Sequence, residues 1–264
     1  MLPDGTQGLL KLNVKMIIAY DGTCYLGWQK TRMGMSIEEV LQECLEKILQ
    51  EKISLQAASR TDAGVHAEGQ VVNFFTTKKI SNERLKLSLN SLLPKDIAIL
   101  HVENASADFH PTLDCIGKEY HYHLCFGSVQ YPRHRFYSWH FPQELNADNM
   151  RQAAASLIGE HDFSAFCNFK KNAAYSNYIR QIQDIEILEL PQKRLCIKIR
   201  GNHFLYKMAR NIAGTLVYVG CGKLSLEDLP EILGSKKRTL AGMTAPAHGL
   251  ALHKVLFQEF REIK

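Results

Sequence analysis

The stretch LNVKMIIAY at residues 12–20, followed after a loop by SIEEVLQECLEKIL at residues 36–49, indicates the fold class of this chain. Apolar and polar side chains mostly alternate in the first segment, which is typical of a half-buried β-strand. In the second segment Ser36 stands three residues before Glu39 as a capping box, and apolar residues recur with the spacing of an amphipathic helix. The two segments predict a strand followed by a helix.

The same two patterns recur along the rest of the chain. Predicted strands lie near residues 70–76, 97–102, 118–126, 182–190, 195–200 and 250–257, and predicted helices at residues 82–93, 148–158, 204–219 and 225–234. We therefore predict an α+β fold of two similar αβ halves, residues 1–105 and 106–264. Each half is expected to be a mainly antiparallel sheet with helices packed on one face. The other sheet faces are expected to line an active-site cleft between the halves.

Composition and charge exclude several classes of protein. Hydrophobic residues make up 45% of the 264 residues and charged residues 22%, which are ordinary values for a globular chain. No apolar stretch approaches the roughly 18 to 20 residues that span a bilayer, and residues 1–8 are interpreted as a frayed leader instead of a signal peptide. The seven cysteines form no C-x-x-C pair, which argues against a disulfide framework and favours a reducing cytoplasm. A net charge of +5 favours a polyanionic partner without identifying one.

The densest group of reactive side chains is SRTDAGVH at residues 59–66, where a cation, a hydroxyl, a carboxylate and an imidazole share one turn. Turns on rigid scaffolds are where active sites collect, so Asp62 is a candidate catalytic residue. The alternative interpretation is structural: Asp62 caps its own turn and Gly64 supplies a positive φ. The local pattern leaves both open.

Two basic surfaces are predicted in the second half of the chain. His203, Lys207, Arg210 and Gly214 recur along one face of the helix predicted at residues 204–219. On the strand before it, basic residues at 194, 198 and 200 share one face, and residues 236–238 add a basic loop. Phosphates would suit these surfaces, although solvated helix and sheet faces often look the same.

His121, His123 and Cys125 alternate along a predicted strand and project from one side, which is compatible with a metal site and with a metal hydrolase. Strand alternation produces such triplets by chance, and no fourth ligand follows at a zinc-like spacing, so we predict no metal. GCGK at residues 220–223 follows a helix and lacks the Ser or Thr of a phosphate loop, and no G-x-G-x-x-G follows a strand. We therefore predict no nucleotide cofactor.

The chain resembles the TruA-type tRNA pseudouridine synthases in segments spread over most of its length. The first-strand signature is similar at YDG, residues 20–22, and GWQ, residues 27–29. The catalytic loop is similar at residues 59–66, the strand after it at residues 69–72, and the tyrosine strand at residues 118–122. The segments at residues 204–220 and 244–250 complete the set.

This resemblance implies an enzyme that converts uridine to pseudouridine in tRNA without a cofactor. It implies Asp62 as nucleophile, Arg60 as the residue that helps displace the target base, Tyr120 as the ring that contacts it, and Arg210 as the partner of the carboxylate. It further implies a homodimer with tRNA spanning both subunits, and uridines at tRNA positions 38, 39 and 40 of the anticodon stem-loop as targets. The predicted substrate-binding residues are Arg60, Tyr120, Lys198, Arg200 and Lys207.

Attack at C1′, attack at C6 and assisted elimination all remain open as routes, and Tyr120 or a water beside it is a candidate base for the C5 proton. The chain departs from the family at Pro111-Thr112, where Ala-Arg is frequent, and at residues 174–177, so RNA contacts there are expected to differ. The main alternative is a protein that binds tRNA without chemistry. Such a protein would not need Asp62, Tyr120 and Arg210 together.

Overall fold

The computed structural model describes residues 11–169 and 175–258. The predicted leader at residues 1–8 lies outside the described residues, as does Ala174 of the segment that departs from the family. The strands are β1 Leu12–Tyr20, β2 Gln56–Ala57, β3 His66–Thr76, β4 Ile97–Ala105, β5 Cys115–Phe126, β6 Trp139–Phe141, β7 Gly159–Asp162, β8 Ile179–Leu190, β9 Arg194–Gly201 and β10 Leu250–Phe257. The helices are α1 Ile37–Leu49, α2 Asn82–Leu92, α3 Ala147–Ala155, α4 Met208–Gly220 and α5 Asp228–Ser235.

All ten strands belong to one mostly antiparallel sheet in the order β4-β1-β3-β10-β5-β9-β8-β7, with β2 paired to β3 and β6 to β5. The α+β prediction is therefore confirmed. Strands from residues before 106 occupy one end of the sheet and later strands the other. The last strand, β10, enters the middle, parallel to β3 and antiparallel to β5. The two predicted halves correspond to these ends, and the boundary at residue 105 stays a prediction.

The opening strand and helix form as predicted. In β1 the side chains of Val14, Met16, Ile18 and Tyr20 are buried, so the strand presents one face to the core. The Ser36 side chain accepts a hydrogen bond from the backbone N–H of Glu39 at 3.2 Å and caps α1.

The helix predicted at residues 204–219 begins four residues later than expected. Lys207 has a φ of 62°, in the left-handed region, so it interrupts a right-handed helix and α4 begins at Met208. His203 and Lys207 therefore precede α4 and do not share a helix face with Arg210. Gly214 serves packing, because a Cβ there would lie 1.8 Å from the carbonyl oxygen of Met243.

The active-site cleft was expected on the open sheet faces, and this expectation is wrong. Along β5, Tyr120 and Tyr122 pair with Ile199 and Ile197 of β9, and all four side chains are buried on one face of the sheet. Burial raises the pKa of Tyr122, and Arg210 in the first turn of α4 is near enough to oppose that rise. The α4 helix thus covers this face, and the cavity described below opens on it. We call it the helix face, and the opposite one the open face.

No helix among residues 11–169 and 175–258 combines the length and hydropathy needed to cross a membrane.

Candidate active site

A cavity of about 1080 Å³ lies on the helix face, between the two halves of the chain. Its walls come from residues 26–65 on one side and from residues 110–210, with Leu250, on the other. Four predicted site residues of the catalytic set line it together: Asp62, Arg60, Tyr120 and Arg210.

Asp62 and Arg210 form an ion pair inside this cavity. Arg210 Nη1 donates to Asp62 Oδ2 at 2.9 Å, and the two side chains are only 13% and 23% exposed, for Arg210 and Asp62 respectively. Arg210 Nε also donates to the carbonyl oxygen of Ala245 at 2.7 Å, which fixes the guanidinium between the two acceptors. Asp62 Oδ1 accepts no hydrogen bond from any described residue. The pair therefore orients the carboxylate and leaves one oxygen toward the cavity.

The alternative interpretation of Asp62 was that its side chain caps its own turn while Gly64 supplies a positive φ. The structure has the positive φ but not the cap. Gly64 does adopt a positive φ of 75°, and the N–H of Val65 donates to the backbone carbonyl of Asp62 at 3.1 Å. The carboxylate itself pairs with Arg210 across the cavity instead of capping this turn.

The loop that carries Asp62 is held by the segment after β1. The Tyr20 hydroxyl hydrogen-bonds the Thr61 hydroxyl at 2.8 Å, and the N–H of Trp28 donates to the Thr61 carbonyl at 3.1 Å. Gly27 has a φ of 92°, and a Cβ there would stand 2.5 Å from the same carbonyl oxygen. The YDG and GWQ signatures thus act through the position of the Asp62 loop.

Tyr120 lines the cavity close enough to Asp62 to be affected by its charge. Its hydroxyl hydrogen-bonds the Ser59 hydroxyl at 2.8 Å, and its ring meets Phe204 edge to face with centroids 4.8 Å apart. Burial is the main cause that raises the pKa of Tyr120 to about 12; the Ser59 hydrogen bond opposes this rise and the charge of Asp62 adds to it. The phenol is therefore protonated at neutral pH and is a poor proton acceptor there.

Gln70 also positions this site and was given no role from the sequence. The fully buried Gln70 side chain in β3 donates to the Ser59 carbonyl at 2.6 Å and accepts from the Ser59 N–H at 3.2 Å. The sequence does contain a signal for this role: Gln70 is an amide within the apolar run of β3, and a buried amide needs hydrogen-bond partners.

Three cations line the cavity with few partners. Arg60 is exposed at its rim and makes no hydrogen bond or ion pair with a described residue. Lys207 lies with its ammonium 5.1 Å from the Tyr206 ring centroid. Lys118 is 8% exposed, forms no ion pair or hydrogen bond within the described chain, and has a pKa lowered by burial. The sequence analysis assigned no role to Lys118. Its position two residues before Tyr120 in β5 places both side chains on the same face of the strand, which was the available signal.

Lys198 and Arg200 do not line this cavity. They alternate along β9 with Ile197 and Ile199, so they project from the open face. Lys198 pairs with Glu186 at 2.9 Å and Arg200 with Glu119 at 3.5 Å. Their contact with RNA stays a prediction.

The departures from the family pattern also fall at the cavity. Thr112 lines it and its hydroxyl donates to the Ala57 carbonyl at 2.8 Å. Tyr175 lines the same wall, and its hydroxyl accepts from the N–H of Tyr206 at 2.9 Å.

The cysteine that lies beside His121 and His123 in the fold is not the one that follows them along the strand. Cys125 is buried with its sulfur 3.0 Å from the Ser138 hydroxyl. The cysteine that joins His121 and His123 is Cys196, on the neighbouring strand.

Comparison with known proteins identifies relatives along most of the chain. A family model described as tRNA pseudouridine synthase matches residues 16–114 and 153–258. A Protochlamydia amoebophila protein named "tRNA pseudouridine synthase A 2" is 61% identical over 246 residues, covering 93% of this chain and 94% of the relative. A Thermoanaerobacter protein named "tRNA pseudouridine synthase A" is 42% identical over 245 residues, covering 93% and 99%. A chain of a solved Cbf5-Nop10-Gar1 complex aligns with a TM-score of 0.39 and 14% identity, covering 91% of this chain and 49% of that one.

Proposed function

The chain belongs to the tRNA pseudouridine synthase family and is an isomerase acting on tRNA, and we propose that Asp62 is its nucleophile and that its targets are uridines of the anticodon stem-loop. The resemblance implies positions 38, 39 and 40 of the tRNA. The observation that carries the catalytic assignment is the Asp62–Arg210 ion pair, enclosed in a cavity beside a buried phenol.

The surroundings of Asp62 support a role in nucleophilic attack. Arg210 occupies Oδ2 through a charge-assisted hydrogen bond, so Oδ1 is the oxygen available to the substrate. Attack of Oδ1 on C1′ breaks the N1–C1′ bond, whereas attack on C6 or an assisted elimination detaches the base by another route. In each case the base turns and rejoins the sugar through C5, and a proton leaves C5. An ionised, oriented carboxylate serves all three routes.

Tyr120 and Phe204 form the wall that retains the detached base. Their edge-to-face pair presents apolar surface beside Asp62, and uracil stacks on such surfaces while its polar edge is hydrogen-bonded. Because the phenol is protonated at neutral pH, with a pKa of about 12, Tyr120 contacts the base as a ring and hydrogen-bond donor. We assign removal of the C5 proton to a water molecule in the cavity.

The cations around the cavity are suited to an extruded nucleotide. Arg60 stands at the rim without a described partner, so its side chain is available to fill the gap left by the target uridine. Lys118 and Lys207 line the walls, where phosphates neutralise them. The open-face residues Lys198 and Arg200 are proposed to contact tRNA outside the cavity, each through a side chain that already has a carboxylate partner.

Two further features are proposed. The resemblance implies a homodimer with one tRNA spanning both subunits, and the seven cysteines without a C-x-x-C pair favour a reducing cytoplasm. The dimer is tested by light scattering of the purified protein with and without tRNA.

The central experiment incubates unmodified tRNA transcripts with the wild type, Asp62→Asn and Asp184→Asn, without added cofactor. Asp184 is exposed on β8, so the same chemical change there is the matched control. Pseudouridines are mapped by carbodiimide-blocked primer extension, and tRNA binding is measured on filters. We expect stops in the anticodon arm for the wild type and the control, none for Asp62→Asn, and tRNA binding by all three.

The possible failures of this experiment are distinguishable. Activity that persists in Asp62→Asn would remove Asp62 as the nucleophile. Stops outside the anticodon arm would overturn the proposed targets while leaving the chemistry in place. Wild-type binding with no modified uridine in any transcript would favour the alternative of a tRNA-binding protein without chemistry.

A further inference from the structure

We propose that His121, His123 and Cys196 form a Zn²⁺ site on the open face of the sheet, opposite the Asp62 cavity. Each offers one ligand atom, and the three atoms all lie within 4.8 Å of one another. The site is independent of the isomerase chemistry, because its ligands project away from that cavity.

Strand register brings the three ligands together. In the β5–β9 ladder His123 stands directly opposite Cys196, and His121 lies two residues along on the same face. Zn²⁺ binds sulfur at about 2.3 Å and imidazole nitrogen at about 2.0 Å, so its tetrahedral ligands lie roughly 3.3 to 3.5 Å apart. Because the three ligand atoms lie within 4.8 Å of one another, a closer approach of at most about 1.5 Å brings them to these distances.

The cysteine is Cys196 and not the sequence neighbour Cys125. Both side chains are buried, but the Cys125 sulfur is engaged with the Ser138 hydroxyl at 3.0 Å, whereas Cys196 makes no hydrogen bond with any described residue. This difference gives the two thiols distinct roles, and it makes Cys125 a matched control.

Carboxylates lie close to the three ligands, although burial lowers the pKa of His123, and Arg194 and His134 also act on it in that direction. Glu119 Oε1 lies 2.8 Å from His121 Nε2, and a carboxylate of this kind orients metal-bound imidazoles and leaves the other ring nitrogen to the metal. Glu68 approaches from β3 and contacts His253 Nδ1 at 2.5 Å. The nearby Lys198 is neutralised by Glu186 at 2.9 Å.

The fourth position of the metal is open to water or to a neighbouring side chain. His253 stacks on His121 with ring centroids 3.8 Å apart, and Glu68, His121 and His253 form a second group with mutually close ligand atoms. Both groups share His121, so one metal ion uses one of them. A thiolate prefers Zn²⁺ to the harder divalent cations, which selects the group that contains Cys196. The thiol proton passes to water when the metal binds.

The experiment uses the tag-free full chain, stripped with EDTA and dialysed, as the wild type, Cys196→Ser, His123→Ala, Glu119→Gln and Cys125→Ser. Zn²⁺ stoichiometry is measured by competition with a chromophoric chelator. Co²⁺ is added as a spectroscopic probe, because a thiolate ligand produces a charge-transfer absorption band. Circular dichroism verifies that each variant is folded.

We expect one Zn²⁺ per wild-type chain, a thiolate-to-Co²⁺ band, and a rise in Tm on metal addition. The band disappears in Cys196→Ser, His123→Ala loses stoichiometric binding, and Glu119→Gln weakens affinity about 10-fold. Cys125→Ser behaves as the wild type. The proposal is overturned if the wild type binds no Zn²⁺, if the band survives in folded Cys196→Ser, or if Cys125→Ser abolishes it.

Discussion

The two faces of the sheet carry similar charged side chains, but they arrange them differently. On the helix face Arg60 and Lys118 have no carboxylate partner within the described chain, and Arg210 is paired with Asp62 inside the cavity. On the open face Lys198 and Arg200 each have a glutamate partner.

This difference separates cations without a carboxylate partner in the described chain from cations whose proposed RNA contacts compete with an existing glutamate partner. Lys118 is a buried cation without a described partner, and burying such a charge costs free energy. An anionic ligand bound in the cavity offsets this cost. The open face needs no such explanation for its lysine and arginine. The comparison therefore predicts that equal substitutions on the two faces have unequal effects.

The largest effect is expected from Arg210→Gln, with Arg200→Gln as its counterpart on the open face. Arg210→Gln removes the charge that orients Asp62 and breaks a mostly buried ion pair, so we expect kcat/KM for tRNA to fall by about 100-fold or more. Arg200 is about half exposed, and its loss is expected to change kcat/KM less than about 3-fold. Single-turnover modification assays measure both. Equal losses in the two variants would contradict the separation of the faces.

Part of this arrangement was readable from the sequence, and the reasons for the rest are physical. Alternation in β1 and the Ser36 cap of α1 are local signals, so both elements were predicted correctly. The start of α4 depends on the left-handed backbone of Lys207, which tertiary contacts impose on an ordinary lysine. The resemblance supplied Arg210 as a partner of Asp62, which lies 148 positions away in the chain and is beyond local patterns.

Strand register accounts for features that the sequence did not reveal. His121, His123 and Cys125 alternate along one strand, whereas the thiol that lies near the two histidines comes from Cys196 on β9. The cleft was placed on the wrong face because the pattern of β5 shows alternation but not which side the helices cover. The insertion of β10 between β3 and β5 likewise has no local signal.

A second comparison concerns two glycines with different surroundings, Gly27 and Gly234. A Cβ on Gly27 would meet the Thr61 carbonyl at 2.5 Å, and its φ of 92° disfavours any side chain, whereas a Cβ on Gly234 meets nothing within 4 Å. We expect Gly27→Ala to lower the free energy of unfolding by about 2 kcal/mol and to displace the Asp62 loop. Gly234→Ala, within α5, is expected to stabilise the protein by about 0.5 kcal/mol. Urea unfolding and the modification assay measure the two effects, and an active, fully stable Gly27→Ala would show that the loop tolerates the shift.

The smallest expected effects concern Lys118 on the helix face and Lys198 on the open face. For Lys118 we expect a substitution to improve stability and to weaken the use of tRNA. Lys118 is buried without a described partner, so Lys118→Met removes a desolvated charge and is expected to raise the free energy of unfolding by about 1 kcal/mol. The same change removes a cation from the cavity, so KM for tRNA is expected to rise about 5-fold at low salt. Lys198→Met on the open face breaks an exposed pair with Glu186 and is expected to change stability by less than about 0.5 kcal/mol. A destabilising Lys118→Met with an unchanged KM would show that the Lys118 amine stabilises the fold and does not bind RNA. The contrast between the two faces would then rest on Arg60 and Arg210 alone.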